Sequence, residues 1–246
     1  MLPWLQPYQQ QLNTLLQNNR LAHGLLFTGP SGVGKTDLAN WLVAALLCTE
    51  TKKPCGQCKS CLLRAAGSHS DLLITDNSGN SIGVDAVRQL SQFMHGRAQQ
   101  QQNKVVLLAQ AEKLTEAAAN ALLKTLEEPP QNSFLILQSA HPAQLLPTIL
   151  SRCQSWALAP VYGEQIEHWL QEHSSRPVPD FLLQYVGGAP LLALKLLEND
   201  EAAAMMGEST LTIHFDEKNQ ATEMNMMSGM MLMKTITPFG NIKDTK

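Results

Sequence analysis

The chain has 246 residues, 44% of them hydrophobic, which is enough apolar material for one large domain or two smaller ones. Its 18 basic and 21 acidic side chains give a net charge of -3, which excludes a uniformly basic surface for nucleic acid. A local basic patch remains an alternative. No secretion signal and no run of about 18 apolar residues is present, so we expect a cytoplasmic protein, with no membrane contact and with reduced cysteines.

Short apolar runs alternate with helix-periodic segments along the first part of the chain. Strands are predicted at 24–28, 72–74, 105–109 and 134–137, and helices at 35–47, 84–94 and 116–127. Thr115 is the expected N-cap of the last of these helices, and Pro129-Pro130 end it. Such alternation is typical of an α/β fold with a parallel sheet flanked by helices.

After Pro160 the pattern becomes purely helical, with helices expected at 164–172, 180–186 and 189–198. We therefore predict a nucleotide-binding-fold domain over 1–158 and a small helical lid domain over 159–204. In the remaining segment, 205–246, eight of the ten methionines lie between Met205 and Met233 without a period. A methionine-rich interaction segment, an unstructured end and a disrupted reading frame are the alternatives, and poor order is the expectation.

A glycine-rich loop joins the first predicted strand to the first predicted helix. It fits in full the pattern G-x-x-x-x-G-K-[ST], in which backbone amides, a helix N-terminus and a lysine surround nucleotide phosphates and a hydroxyl can bind magnesium. Its residues are Gly29, Pro30, Ser31, Gly32, Val33, Gly34, Lys35 and Thr36. The sequence therefore predicts a pocket for ATP.

Hydrolysis needs more than this loop, because an acidic residue must organise magnesium at the end of a neighbouring strand. The predicted strand at 105–109 is followed by Gln110, so Ala109 and Gln110 stand where an acidic pair is expected. Glu112 is a weak substitute, since three extended residues separate it from Ala109 by about 10 Å. We expect a pocket that can bind ATP without efficient hydrolysis.

Four of the five cysteines are clustered: Cys48 precedes the run Cys55-x-x-Cys58-x-x-Cys61. Four thiolates make a closed tetrahedral zinc site, whose role is structural because no ligand position stays open. An iron–sulfur cluster also accepts four thiolates, but short C-x-x-C turns without a following Cys-Pro favour zinc. Cys153 stands apart and is expected to be a packed side chain.

Together with the loop and the cysteines, two further segments carry a family resemblance: Ala117 to Pro130, which reads AAANALLKTLEEPP, and Ser151-Arg152-Cys153. Over about residues 3–200 the chain resembles the bacterial clamp-loader subunits of DNA polymerase III, which have an AAA+ fold. The chain is similar to the delta-prime type in two respects. Ala109 and Gln110 stand where the motor subunits carry an acidic pair, and Leu191 stands where they carry a sensor arginine. Ser139 and His141 are candidates for a polar sensor after the fourth strand.

The resemblance implies a non-hydrolysing stator in a hetero-oligomer that loads the sliding clamp onto primed DNA. The partners implied are the delta subunit and the gamma or tau motor subunits, with clamp and DNA reached through the complex. It also implies that Ser151 and Arg152 supply an arginine finger in trans to the ATP of a neighbouring subunit. The family normally continues into a helical collar domain, whose pattern this chain is expected to lack.

Two other functions stay open. The first is an ATP-hydrolysing motor subunit of the gamma or tau type, in which Glu112 is recruited. The second is a zinc-dependent nucleic-acid-binding module built on the cysteine cluster and its lysines, against which the net charge argues.

Overall fold

In the computed structural model, residues 2–75, 79–100 and 103–199 are described, together with four short strands closer to the C-terminus. The helices are α1 (Gln6–Gln17), α2 (Lys35–Leu47), α3 (Lys59–Ala65), α4 (Val84–His95), α5 (Glu116–Glu127), α6 (Pro147–Leu150), α7 (Glu164–His173), α8 (Leu182–Tyr185) and α9 (Pro190–Glu198). The strands of the main sheet are β1 (Gly24–Thr28), β2 (Leu72–Ile74), β3 (Lys104–Leu108), β4 (Ser133–Ser139) and β5 (Gln154–Ala157).

The main sheet has five strands in the order β2-β3-β4-β1-β5, and every pairing is parallel. The predicted fold class is therefore confirmed. Because the strands are parallel, the carboxyl ends of β1, β3 and β4 meet at one edge of the sheet, where α/β proteins place their ligand sites. The predicted strands and helices agree with the structure to within about two residues at most ends, whereas α1, α3, α6 and β5 were not predicted.

Successive residues of β1 face opposite sides of the sheet, as the two-residue repeat of a strand requires. Leu25 and Phe27 pack in one core with α1 and α2, and Leu26 packs in the other with α4 and α5. All three side chains are fully buried. A sheet covered on both faces explains why its strands read as continuous apolar runs.

Helix α5 begins as predicted, since the Thr115 side chain accepts a hydrogen bond from the Ala118 amide at 3.2 Å. It ends at Glu127, two residues before the proline pair. This end of α5 lies next to the start of β1, because the His23 ring is 2.7 Å from the Leu126 carbonyl oxygen. The α5 C-terminus is thus fixed to the sheet.

Residues 164–198 contain only helices, and α7, α8 and α9 share a third core that includes Trp169, Leu170 and Leu183. Trp4, from the N-terminal segment, stacks edge-on against Trp169 with ring centroids 4.8 Å apart. The boundary placed between residues 158 and 159 stays a prediction. No helix within the described ranges combines the length and apolar character needed to cross a membrane.

Most of the predicted methionine-rich tail lies outside the described residues. Within it the structure gives two antiparallel strand pairs, β6 (Thr212–Phe215) with β7 (Ala221–Asn225) and β8 (Lys234–Ile236) with β9 (Ile242–Asp244).

Candidate functional site

The glycine-rich loop follows β1 directly and leads into α2, as predicted. Gly32 has a φ of 85°, a backbone conformation that residues with a Cβ rarely adopt. A Cβ at this position would lie 2.6 Å from the Leu192 backbone nitrogen, and the Gly32 carbonyl accepts a hydrogen bond of 3.0 Å from the Leu191 amide. The loop is therefore in direct contact with the start of α9, where only glycine fits.

A cavity of about 340 Å³ opens at the carboxyl edge of the sheet. Lys35 and Thr36 line it from α2, Glu112 from the segment after β3, and Gln138 from β4. Ser31, Gly32 and Gly34 complete the loop side of the cavity. The structure thus brings the predicted phosphate loop and the ends of three strands together around one pocket.

Lys35 turns towards its own loop. Its Nζ donates hydrogen bonds of 2.6 Å to the Gly29 carbonyl and 2.8 Å to the Pro30 carbonyl. Burial lowers the pKa of the Lys35 ammonium, and the negative charge of Glu112 partly offsets that effect. A phosphate that binds here has to draw the ammonium away from two carbonyl oxygens.

The positions expected to carry catalytic charges hold none. Ala109 and Gln110 line the cavity at the end of β3, and Leu191 lines it from α9. A methyl group, an amide and an isobutyl group cannot replace carboxylates and a guanidinium in organising magnesium and phosphoryl charge. The pocket therefore has the phosphate loop of an ATPase without its acidic pair or sensor arginine.

Glu112 lies much closer to the pocket than an extended chain would place it. Gln110 adopts a left-handed conformation, with φ 53° and ψ 51°, and residues 111–113 form a 3-10 turn that folds back. Glu112 consequently lines the cavity. Its Oε1 accepts a hydrogen bond from the Ala140 amide at 3.3 Å, and its Oε2 is buried without a hydrogen-bond partner.

Gln138 is a pocket residue that the sequence analysis missed. It is 4% exposed, its Oε1 lies 3.3 Å from the Thr36 hydroxyl, and its Nε2 has no partner. A glutamine directly after the four apolar residues 134–137 was the available signal. Of the predicted sensor candidates, Ser139 lines the cavity and accepts a hydrogen bond from the His141 amide, whereas His141 is exposed and is not part of the lining.

Cys48, Cys55, Cys58 and Cys61 come together, with all four sulfur atoms within 4.8 Å of one another. The Cys48–Cys58 and Cys55–Cys61 sulfur pairs are each 3.9 Å apart. Zn–S bonds of about 2.3 Å in a tetrahedron require sulfur atoms about 3.8 Å apart, so the four residues fit a single zinc ion. The sulfurs of an iron–sulfur cluster are shared among several iron atoms and have to stand farther apart.

Backbone amides support the cysteine cluster. The Cys58 and Gln57 amides donate to the Cys55 sulfur at 3.2 and 3.4 Å, and the Cys55 amide donates to the Cys48 sulfur at 3.4 Å. Such contacts stabilise thiolates, and a hydrogen bond from the Thr49 backbone lowers the pKa of Cys58 to about 5.

Cys153 lies apart from this cluster. Burial alone raises the pKa of Cys153 to about 11, as expected of a packed, unreactive thiol.

His69 and Ser60 fix the cluster to the main fold. The Ser60 hydroxyl donates to the Leu47 carbonyl at 2.6 Å, and the His69 Nε2 lies 2.7 Å from the same hydroxyl. The His69 Nδ1 accepts from the Asp71 amide at 3.1 Å, so the proton of the neutral ring is on Nε2. His69 thus holds α3 against the end of α2 and is not a metal ligand.

Arg152 lies on the surface after α6, about one third exposed. Its Nε donates to Glu127 Oε1 at 2.7 Å, its second terminal nitrogen lies 2.6 Å from the same oxygen, and its first donates to the Thr148 carbonyl at 3.1 Å. Ser151 donates to the Thr148 carbonyl at 3.1 Å. Arg152 therefore forms an ion pair with a carboxylate of its own chain. The role of Arg152 in trans stays a prediction.

Comparison with known proteins identifies the family. The profile of the family described as "DNA polymerase III, delta subunit" matches residues 5–162. Curated relatives named "DNA polymerase III subunit delta'" are 43% identical over 200 residues in Haemophilus influenzae and 41% identical over 207 residues in Yersinia pestis. Each match covers 80% of this chain and 61% of the relative, so the chain spans about three fifths of the length of these relatives.

A solved structure of a DNA polymerase III gamma subunit-related protein from Thermotoga maritima has a TM-score of 0.53 at 23% identity. The match covers 82% of this chain and 63% of that chain, and at this identity it shows a common fold alone. The predicted resemblance to delta-prime subunits is confirmed by the family profile and the two relatives. The chain belongs to the DNA polymerase III delta-subunit family, and these relatives within it are delta' subunits.

Proposed function

We propose that the chain is the delta'-type stator of a bacterial clamp loader, a component of the DNA polymerase III holoenzyme that does not hydrolyse ATP itself. The observation that carries the proposal is the pocket, in which the complete phosphate loop faces Ala109, Gln110 and Leu191. A pocket of this composition can bind nucleotide phosphates but lacks the charges that hydrolysis requires. The delta' relatives support this function over a gamma or tau motor.

Arg152 acts in trans in this proposal. Its guanidinium is exposed and held in one orientation, so it can face the ATP of a neighbouring motor subunit across an interface. A guanidinium placed at developing phosphoryl charge accelerates transfer by about 10³-fold or more. Ser151 fixes the turn from which Arg152 projects.

The partners in this proposal are the delta subunit, the gamma or tau motor subunits and, through the complex, the sliding clamp and primed DNA. We propose the division into a nucleotide-binding-fold domain over 1–158, a helical lid domain over 159–204 and a tail over 205–246. The protein works in the cytoplasm at the replication machinery.

The cysteine cluster binds one zinc ion in this proposal, and the ion supplies a structural cross-link. Metal analysis should find about one zinc per chain in the wild-type protein and almost none in Cys55→Ser.

Steady-state ATP hydrolysis by a reconstituted loader tests the stator proposal. We expect Arg152→Ala in this subunit to lower the activity strongly, because a neighbouring site loses its guanidinium, and Lys35→Ala to leave it unchanged. The opposite pattern would show that this chain is itself a motor and would refute the proposal.

Glu112 gives specific support to one second candidate, an ATP-hydrolysing motor. Its buried Oε2 has no hydrogen-bond partner, and Glu112 lines the pocket, so this carboxylate is available to bind the magnesium of a nucleotide. Magnesium-dependent turnover by the isolated chain, lost in both Lys35→Ala and Glu112→Gln, would establish this function. A reconstituted loader whose ATPase rate is unchanged in both variants would exclude it.

A further inference from the structure

We infer that Glu127 is the positioning residue of Arg152, holding the guanidinium in the orientation in which it meets a phosphate group of a neighbouring subunit. The inference rests on the proposed role of Arg152 in trans and adds a second residue to it. Glu127 is the last residue of α5 and Arg152 follows α6, so the pair joins two elements 25 residues apart in sequence.

The contacts fix the guanidinium at two places. On one side, Nε and one terminal nitrogen share Glu127 Oε1 at 2.7 and 2.6 Å. On the other side, the second terminal nitrogen donates to the Thr148 carbonyl at 3.1 Å and lies a longer 3.4 Å from the Ser151 hydroxyl. Four contacts from one plane, three of them 3.1 Å or shorter, leave the group little freedom to rotate about its last side-chain torsions.

The same contacts leave donors available. A guanidinium has five N–H groups. Glu127 takes that of Nε and one from a terminal nitrogen, and Thr148 takes one from the other terminal nitrogen. One N–H of the terminal nitrogen that faces Glu127 has no contact, and the last N–H makes only the long 3.4 Å contact with Ser151, which a phosphate oxygen can replace. These two N–H groups, one on each terminal nitrogen, form the paired edge that suits two oxygens of one phosphate. Glu127 thus holds the guanidinium by its side edge and leaves the phosphate-binding edge with its weakest contact.

The backbone beneath this pair is rigid. The Arg152 amide donates to the Ile149 carbonyl at 3.1 Å. A Cβ added to Gly24 would lie 2.9 Å from the Leu126 side chain and 3.5 Å from the Arg152 carbonyl, so β1, α5 and the Arg152 turn are in close contact. Since the main chain is already fixed, the remaining freedom is in the Arg152 side chain, and Glu127 removes it.

Stability does not account for the pair. The side chains of Arg152 and Glu127 are 35% and 49% exposed, and ion pairs at such exposure contribute little to the free energy of unfolding because water screens them. An arginine side chain carries considerable rotamer entropy, so fixing it in advance lowers the entropic cost of reaching the phosphate. The expected effect of Glu127 is therefore on the turnover of the neighbouring site and not on folding.

ATP hydrolysis by the reconstituted loader tests this inference, with Arg152→Ala defining the activity that depends on the arginine. We expect Glu127→Gln to lower the kcat of that arginine-dependent activity about tenfold, a fraction of the roughly 10³-fold effect of removing the guanidinium, while KM for ATP changes less than about twofold. Glu127→Gln combined with Arg152→Ala should be no slower than Arg152→Ala alone, because Glu127 acts through Arg152.

Glu128→Gln is the matched control. This adjacent carboxylate is exposed, and the ion pair of Arg152 is with Glu127, so the Glu128 variant should keep wild-type kcat. If Arg152→Ala abolishes the activity but Glu127→Gln keeps it in full, the positioning role is refuted and the function in trans stands. If Arg152→Ala itself has no effect, the proposed function fails and the inference fails with it.

Nitrogen-15 NMR of the arginine side chains gives a readout on the isolated full chain. We expect the Arg152 Nε–H to be ordered and to exchange slowly in the wild-type protein and in Glu128→Gln, and to become mobile in Glu127→Gln with an unchanged melting temperature. An Arg152 Nε–H that is equally ordered without the Glu127 carboxylate would overturn the inference.

Discussion

The chain carries two cations that sequence motifs direct towards phosphate groups, and the structure holds them in opposite ways. Lys35 is half-buried, with its ammonium bonded to two carbonyls of its own loop. Arg152 is exposed, with part of its guanidinium fixed and part of it available. This difference agrees with the proposed function, in which the pocket binds nucleotide without hydrolysing it and the surface arginine acts on a ligand held by a neighbouring subunit.

The largest expected effect concerns the contact that closes the phosphate loop against α9. Gly32→Ala adds a Cβ 2.6 Å from the Leu192 backbone to a residue with φ 85°, so clash and backbone strain combine. We expect a loss of about 3 kcal/mol in the free energy of unfolding, measured with urea. Gly67→Ala, where φ is 69° but nothing lies within 4 Å, should lose only about 1 kcal/mol. Equal losses would show that the Leu192 contact does not constrain the loop.

Arg152→Lys separates the charge of the surface cation from its shape. Lysine keeps the positive charge but has no planar fork, so it cannot bind Glu127 with one edge and a phosphate with the other. We expect a decrease of about a hundredfold in the arginine-dependent ATPase rate of the loader, equivalent to about 2.7 kcal/mol. A lysine variant with wild-type rate would mean that charge alone is sufficient.

Lys35→Ala tests the pocket in the isolated chain. Any nucleotide bound there depends on Lys35, so the variant should bind ADP at least about tenfold more weakly, a change of about 1.4 kcal/mol by calorimetry. Arg152→Ala should bind ADP within about twofold of wild type, since Arg152 lies outside the pocket lining. Weaker binding in Arg152→Ala would contradict the division of roles between the two cations.

The smallest effect concerns the far end of the helix that begins with Lys35, where His69 and Ser60 hold the Leu47 carbonyl. Burial lowers the pKa of His69 from 6.5, although the charge of Asp71 opposes the shift. The unfolded chain therefore takes up the proton first, so stability is complete above about pH 6.5 and decreases as the pH falls towards the lowered pKa.

Denaturation between pH 7.5 and 5 should show this decrease in wild type and a weaker one in His69→Gln, whose amide keeps one donor and one acceptor. His141→Gln, at an exposed position, is the control and should follow wild type. Parallel curves for wild type and His69→Gln would show that His69 makes no contribution.

Local patterns predicted the elements that local physics determines. The apolar runs and the Thr115 cap gave the sheet and α5, and the motif spacing gave the phosphate loop and the four clustered sulfurs. Helix α1 was missed because its sequence, QPYQQQLNTLLQ, is rich in glutamine and buries only Gln9 and Leu12. The short edge strand β5 has no apolar run to mark it.

Parts of the site depend on geometry that no local pattern contains. Glu112 reaches the pocket only because Gln110, a residue without intrinsic preference for it, adopts a left-handed conformation. The pairing of Glu127 with Arg152 and the approach of Gln138 to Thr36 join residues far apart in sequence. Such contacts follow from how the elements pack, so sequence identifies the residue types and structure identifies the pairs.

The Trp4 indole gives the pocket an optical reporter. Its Nε1 donates to the carbonyl of Val33 in the phosphate loop at 2.8 Å, while its ring meets Trp169 of the helical region edge-on at 4.8 Å. Indole emission responds to the polarity around the ring and to the loss of such a hydrogen bond. A loop that rearranges to accept a nucleotide would therefore change the intrinsic fluorescence of the unlabelled protein, and Trp4→Phe would remove that signal.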